Sequence, residues 1–256
     1  MNNTFNLHRF NLLLKRQWLE FGKIFLITLV VAVGVFVAFY GFTLFPLEGP
    51  ISARRLNFRE PLFIGFGFLF ISVIASSYFA HLGQKSKAVI DLMIPASTFE
   101  KFLTGVFFTS ILSILSFILL FSVTDWAFIT YIQAQFKTVS SDHTEPIAYF
   151  FTKNKVSAFA PLYIVPFTVT SIFLLGSIYF NRFHYIKTAI SVMIFSGIWS
   201  YIVVKATEKL LAGKMPINNT GNNGKNSMEW LIFAILSALT LVVWVITYVR
   251  LKEKEV

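Results

Sequence analysis

Six long apolar runs without lysine, arginine, aspartate or glutamate are the dominant feature of the sequence. They cover residues 24–46, 61–82, 102–124, 158–180, 188–204 and 230–249. A helix needs about 20 such residues to cross the hydrocarbon of a bilayer. Five runs reach that length, and the run of 17 residues at 188–204 is expected to borrow from Ile186 and Lys205 by snorkelling. The sequence therefore predicts six transmembrane spans.

The charged residues support this prediction, because all 34 of them lie outside the six runs. An unpaired charge at the bilayer centre costs at least about 2.5 kcal/mol. Backbone groups in lipid must be satisfied internally, and runs of this length are too long for barrel strands. The predicted fold is all-α, a six-helix transmembrane bundle that forms a single domain over residues 1–256.

An amphipathic segment, residues 5–23, precedes the first run. Leu7, Phe10, Leu14, Trp18 and Phe21 recur at helical spacing, with basic residues on the opposing side. This pattern favours an interfacial helix in the head-group layer, while a plain helical leader into the first span is the alternative. The predicted interfacial residues are Arg9, Phe10, Leu14, Arg16 and Trp18.

The distribution of basic residues indicates an orientation. The side that holds both termini carries twelve lysines and arginines in 56 residues, and the other side carries ten in 72. Since basic residues accumulate on the cytoplasmic side, both termini are predicted to be cytoplasmic. Two of the connections have a distinct composition. Residues 125–157 are predicted to form a long polar loop, and residues 213–229 an irregular loop rich in Asn and Gly.

Several kinds of chemistry are absent from the sequence. No cysteine occurs, which excludes disulfides and thiolate sites, and no HExxH string or histidine pair at metal-binding spacing occurs. Gly221-Asn222-Asn223-Gly224-Lys225 lacks the spacing of a nucleotide-binding loop. The net charge of +10 favours contact with anionic lipid over nucleic acid. We therefore predict no catalytic residue, no metal site and no cofactor.

The connection between spans two and three has the most distinctive pattern. Residues 88–93 can form a short helix that Pro95 ends, and Ser97-Thr98-Phe99-Glu100 fits a capping box that starts the next helix. A partner that pushed on this segment would move both spans, although a simple loop is the alternative. The candidate residues of this segment are Lys87, Asp91, Leu92, Met93, Pro95, Ser97, Glu100 and Lys101.

Residues 92–102, Leu-Met-Ile-Pro-Ala-Ser-Thr-Phe-Glu-Lys-Phe, resemble the "LPAS..EK" stretch after the second span of permease subunits in type-2 class ABC exporters. The leader 5–18 resembles the start of Bacteroidetes-like members. The resemblance implies two permease copies, a separate cytoplasmic ATPase subunit and a location in the bacterial inner membrane. It also implies that residues 87–101 act as the coupling segment and the leader as the connecting helix.

Two other functional classes stay open at this point. A non-transporting membrane scaffold or sensor would need no ATPase partner. An intramembrane enzyme would need polar groups that meet inside the bundle, for example His81 with an acidic group.

Overall fold

The structure is a computed structural model, and it describes residues 5–44, 56–83, 93–136, 149–153, 160–211 and 222–254. Within these ranges the chain is all-α and multi-pass, with six helices that are long and apolar enough to cross a membrane. The predicted all-α class and the number of spans are confirmed.

Each of the six long helices contains one of the apolar runs, in whole or in large part. Helix α3 runs without interruption through Thr98–Val106, the π-helical turn Phe107–Leu112 and Ser113–Phe136. The other five are α1 Leu7–Leu44, α2 Arg59–Tyr78, α4 Val165–Tyr179, α5 His184–Leu211 and α6 Asn222–Lys254. Short helices cover Ala80–Gly83, Phe150–Lys153 and Ala160–Tyr163.

The predicted leader is helical, but it is not a separate element. Helix α1 continues for 38 residues from Leu7 into the first apolar run. Gly22 does not interrupt it, because the Trp18 ring lies one turn earlier and covers that position. At about 1.5 Å per residue the helix is roughly 57 Å long, well beyond the ~30 Å of a hydrocarbon core. Its first third therefore extends past the hydrocarbon in any orientation that spans a bilayer.

Two predicted loop boundaries were wrong. Helix α3 continues to Phe136, although the apolar run ends at 124. It continues because Asp125, Ile129 and Ile132 lie on one face at helical spacing and are all buried. Helix α6 begins at Asn222, inside the stretch predicted to be irregular. The rest of that stretch and residues 137–148 lie outside the described residues.

The contacts of the chain divide into two compact units, and α2 passes from the first to the second. The first unit contains residues 1–74 and 96–159, and its core is built from phenylalanine. Phe36 packs edge-on against Phe121 at 5.5 Å between ring centroids, and Phe63 packs against Phe121 at 4.9 Å. Gly67 lets α3 approach α2 closely, since a Cβ there would lie 2.9 Å from the Phe117 ring.

The second unit contains residues 75–95 and 160–256, and it packs through small and hydroxyl side chains. Thr168 Oγ1 of α4 and Thr240 Oγ1 of α6 share a hydrogen bond of 2.8 Å. Gly176 of α4 lies so close to Thr188 of α5 that a Cβ would overlap its hydroxyl. Such close approach of small residues is a usual way for helices to associate in lipid.

Candidate functional site

The segment between spans two and three is described from Met93 onward. Lys87, Asp91 and Leu92 lie outside the described residues, as does the predicted short helix up to residue 92. Met93 is 79% exposed and Pro95 is also exposed. The end of the segment therefore presents an apolar tip just before the buried start of α3.

The predicted capping box at the start of α3 is confirmed. Ser97 is the N-cap, and its Oγ accepts a hydrogen bond from the Glu100 backbone N–H at 3.2 Å. Glu100 Oε2 accepts a hydrogen bond from the Ser97 backbone N–H at 2.9 Å. The two residues thereby satisfy each other's backbone donors, which a helix start otherwise leaves unpaired.

The carboxylate of Glu100 also binds the start of α1, which the sequence did not predict. Glu100 Oε1 accepts hydrogen bonds from the Asn6 backbone N–H at 2.8 Å and from Arg9 Nη2 at 3.0 Å. Asn6 is itself the cap of α1, because its Oδ1 accepts from the His8 backbone N–H at 2.9 Å. One carboxylate, 0% exposed, thus joins the N-termini of two helices.

We call this set the Glu100 junction. It consists of Asn6, Arg9, Ser97 and Glu100. Its electrostatics favour an ionised carboxylate, because two helix N-termini and one guanidinium all direct positive charge at it. Lys101 is buried beside it, at 7% exposure.

Aromatic contacts extend the junction along both helices. The Phe5 ring lies edge-on to the Phe99 ring at 6.2 Å, and the Trp18 ring stacks on the Phe108 ring at the same separation. These contacts hold the first four turns of α1 against α3. A displacement of the start of α3 would therefore be shared by α1.

The predicted interfacial residues have different positions on α1. Phe10 packs near Phe5, with 5.8 Å between ring centroids, while Arg16 Nε donates to Glu20 Oε1 at 3.0 Å on an exposed face. Leu14 is half-buried and Trp18 is 43% exposed. The side of α1 that packs into the unit is shifted by about one residue from the predicted apolar face. Leu13 and Gln17, each one residue before a predicted member, are buried, and Phe21 is buried as the predicted face requires.

A second buried polar cluster lies at the other end of α3, and sequence reasoning missed it. Asp125 Oδ1 accepts hydrogen bonds from Tyr40 Oη at 2.7 Å and from Arg59 Nη1 at 3.1 Å. Asp125 Oδ2 accepts one from the Phe150 backbone N–H at 2.8 Å. All three side chains are buried, and we call the set of Tyr40, Arg59, Asp125 and Phe150 the Asp125 junction.

One signal in the sequence could have revealed this second junction. Arg59 lies two residues before the second run, and Asp125 directly follows the third. Since consecutive spans run in opposite directions, the two residues come to the same membrane side. A basic and an acidic residue at facing span ends are candidates for an ion pair.

Both junctions join helices through a buried carboxylate. Among the described residues no group of histidine, aspartate and glutamate is placed to hold a metal ion. The Nδ1 of His81, the residue considered for an intramembrane enzyme, lies 3.0 Å from the Tyr78 carbonyl oxygen. That contact is to backbone one turn earlier and adds nothing in favour of the enzyme alternative.

Comparison with known proteins adds no family to this description. No protein-family model matches the chain. No curated protein and no solved structure matches it. What the chain does is therefore inferred from its own residues and geometry.

Proposed function

We propose that this chain is the membrane-spanning permease subunit of an ATP-binding-cassette exporter. In this proposal it forms the translocation pathway with a second permease copy, and ATP hydrolysis belongs to a separate cytoplasmic ATPase subunit. Both termini and the segment between α2 and α3 face that ATPase, on the cytoplasmic side of a bacterial inner membrane.

The Glu100 junction is the observation that supports this proposal most directly. A transporter driven by a separate ATPase must carry force from a loop into its spanning helices. Here the loop between spans two and three leads straight into a carboxylate that binds the starts of α1 and α3 together. In this proposal a push on the loop is passed to the starts of two spans at once.

The exposed end of the loop supports the same assignment. Met93 is 79% exposed on a segment that re-enters the membrane a few residues later. A flexible thioether is well suited to a contact surface that must form and separate repeatedly. The six apolar runs themselves contain no charged residue, which is compatible with transport driven by a partner rather than by an ion gradient.

A co-purification experiment tests the proposal. The tagged full-length chain is expressed in its native host, extracted in mild detergent and assayed for ATPase activity in the eluate. We expect an ATPase to co-purify, and to be lost when residues 88–94 are scrambled. Met93→Asp should weaken the association without changing the yield, because the side chain is exposed.

The matched control is an equal-length scramble of residues 214–220, which the sequence places on the opposite side of the membrane. The control should retain the ATPase. A wild-type chain that elutes alone with no ATPase activity would contradict the permease proposal and favour a scaffold or sensor. Equal loss in both scrambles would contradict the assignment of the coupling segment.

A further inference from the structure

Basic side chains converge on the turn between α4 and α5, in the second unit. Lys187 Nζ lies 5.8 Å from the centroid of the Phe180 ring, and Arg250 Cζ lies 5.6 Å from the centroid of the Tyr179 ring. Lys254 Nζ donates a hydrogen bond to Asn181 Oδ1 at 3.3 Å. With Arg182, which lies in the turn itself, four cations gather around residues 179–183. We call them the basic turn: Arg182, Lys187, Arg250 and Lys254.

The charge of this turn is not balanced by the described residues around it. Glu253 accepts a hydrogen bond from Arg250 Nη1 at 2.7 Å, and it is the carboxylate that the structure places there. Four cations against one carboxylate produce a positive potential that attracts an anion. Three of the four cations contact an aromatic ring or an amide of the turn, and these contacts favour their gathering around it.

An exposed aromatic residue lies within the same turn. Phe183 has a φ of 54°, in the left-handed region that side chains with a Cβ adopt at a cost, and it is 72% exposed. Nothing in the unit compensates for this conformation by burying the ring. A strained residue whose side chain projects outward is typical of a binding surface.

The depth of the turn indicates what this surface contacts. Helix α4 ends at Tyr179 and α5 begins at His184, so the turn lies where two spans leave the hydrocarbon. This is the level of phospholipid head groups, where basic residues meet phosphates and aromatic rings insert among the glycerol and upper acyl groups. A free phosphate would use the cations but not the exposed ring.

We propose that the basic turn binds the head group of an anionic phospholipid, with Phe183 inserted beside the acyl chains. The general attraction of basic residues to anionic lipid acts all along the chain's membrane edges. The basic turn differs because its cations gather around one point and are combined with an apolar contact. This site does not depend on the proposed transport function.

Native mass spectrometry of the full-length chain in detergent tests the site. The protein is titrated with phosphatidylglycerol and with phosphatidylcholine of identical acyl chains. We expect wild type to bind phosphatidylglycerol more tightly, and the variant R182Q/R250Q to lose about fivefold in affinity for each removed charge. The matched control is R16Q/K23Q, because Arg16 pairs with Glu20 as Arg250 pairs with Glu253. The control should lose clearly less affinity than R182Q/R250Q, because only the basic turn gathers its cations around one point.

Three results would overturn the proposal. Equal binding of the two lipids would show that charge is not recognised. Equal losses in the variant and the control would show diffuse attraction rather than a site. Displacement of phosphatidylglycerol by millimolar inorganic phosphate would show an anion site that does not recognise lipid.

The variant Phe183→Gly keeps the test valid if the charge variant folds poorly. Glycine adopts a positive φ without strain, so the apparent melting temperature should stay the same or rise. Phosphatidylglycerol binding should nevertheless weaken severalfold, because the inserted ring is lost. A turn with only a structural role would show the stability change and unaltered lipid binding.

Discussion

The two junctions of the first unit are built from the same parts and differ in how they are enclosed. Each centres on a buried carboxylate of α3 that binds a side chain or backbone group of α1, an arginine and a backbone N–H. Glu100 and Asp125 are 25 residues apart on the helix, or about 37 Å. That distance exceeds a hydrocarbon core of ~30 Å, so each junction can lie at its own membrane surface.

The two junctions differ in how far their arginine side chains are exposed to solvent. The Arg9 side chain is 32% exposed, whereas the Arg59 side chain is 8% exposed among apolar residues. Glu100 relies on the backbone caps of two helices, and Asp125 relies on buried side chains beside the core of Leu56, Ile129 and Ile132. We therefore expect the Asp125 junction to be the more rigid of the two, and the Glu100 junction to adjust more easily at its water-accessible edge.

With this difference, the pair of helices α1 and α3 is expected to be held firmly at one end and to adjust at the other. Joined at both ends, α1 and α3 are expected to move as a pair. The adjustable end is the one that adjoins the segment between spans two and three. Under the proposed function, force would enter at the Glu100 junction and be resisted at the Asp125 junction.

The largest effect is expected for Asp125→Ala. Removal of this carboxylate leaves the Arg59 charge buried without its partner, and it also removes the acceptor for Tyr40. We expect a loss of about 3–5 kcal/mol in the free energy of unfolding. Denaturant titration of the purified chain in mixed micelles, followed by circular dichroism, measures it.

A double variant serves as the control for this prediction. Asp125→Leu with Arg59→Met removes both charges, and buried ion pairs are often replaced by apolar residues at little cost. The double variant should recover the part of the loss that comes from the unpaired Arg59 charge, while the Tyr40 hydroxyl and the Phe150 N–H stay without their acceptor. If Asp125→Ala alone lost less than about 1 kcal/mol, the Asp125 junction would not be the more rigid of the two.

A smaller effect is expected for Glu100→Gln. The amide can accept at one oxygen only, so its NH₂ group would face one of the backbone donors of Asn6 or Ser97. We expect a loss of about 1–3 kcal/mol in the free energy of unfolding. In the complex with an ATPase, stimulation of ATP hydrolysis should fall while co-purification persists.

The conservative change Glu20→Gln, on an exposed face of α1, is the control for Glu100→Gln. It should alter neither stability nor stimulation. Normal stimulation in Glu100→Gln would separate the Glu100 junction from the proposed coupling, even if the stability loss were observed.

Much of the fold was predictable from the sequence because lipid imposes a simple rule on composition. Charge-free runs located all six spans, and the Ser97–Glu100 spacing located the start of α3, since a capping box is a local pattern. Helix ends beyond the runs were not predictable from hydropathy. Burial of Asp125, Ile129 and Ile132 extends α3, and that burial depends on the distant Leu56.

The Glu100 junction was predicted only in part, and the Asp125 junction was not predicted. In both cases the missing bonds join residues that are distant in the sequence. Spacing predicted the bonds within residues 97–100, but the bonds from Asn6 and Arg9 join residues more than 90 positions apart. No local sequence pattern predicts these long-range hydrogen bonds. The role of residues 87–92, which lie outside the described residues, stays a prediction.

The smallest effect is expected for Arg9→Gln, and it tests the comparison between the junctions most sharply. Because the Arg9 side chain is partly exposed, its contribution to the ion pair is weakened by solvent, and Glu100 keeps two backbone donors without it. We expect less than about 1 kcal/mol. The difference from wild type should shrink between 0.05 M and 1 M salt, as screening weakens an accessible ion pair. The corresponding variant Arg59→Gln should cost several times more and respond little to salt, because its pair is buried. If the two arginine variants gave equal losses with equal salt dependence, the two junctions would be equivalent, and the Glu100 end would have no special freedom to move.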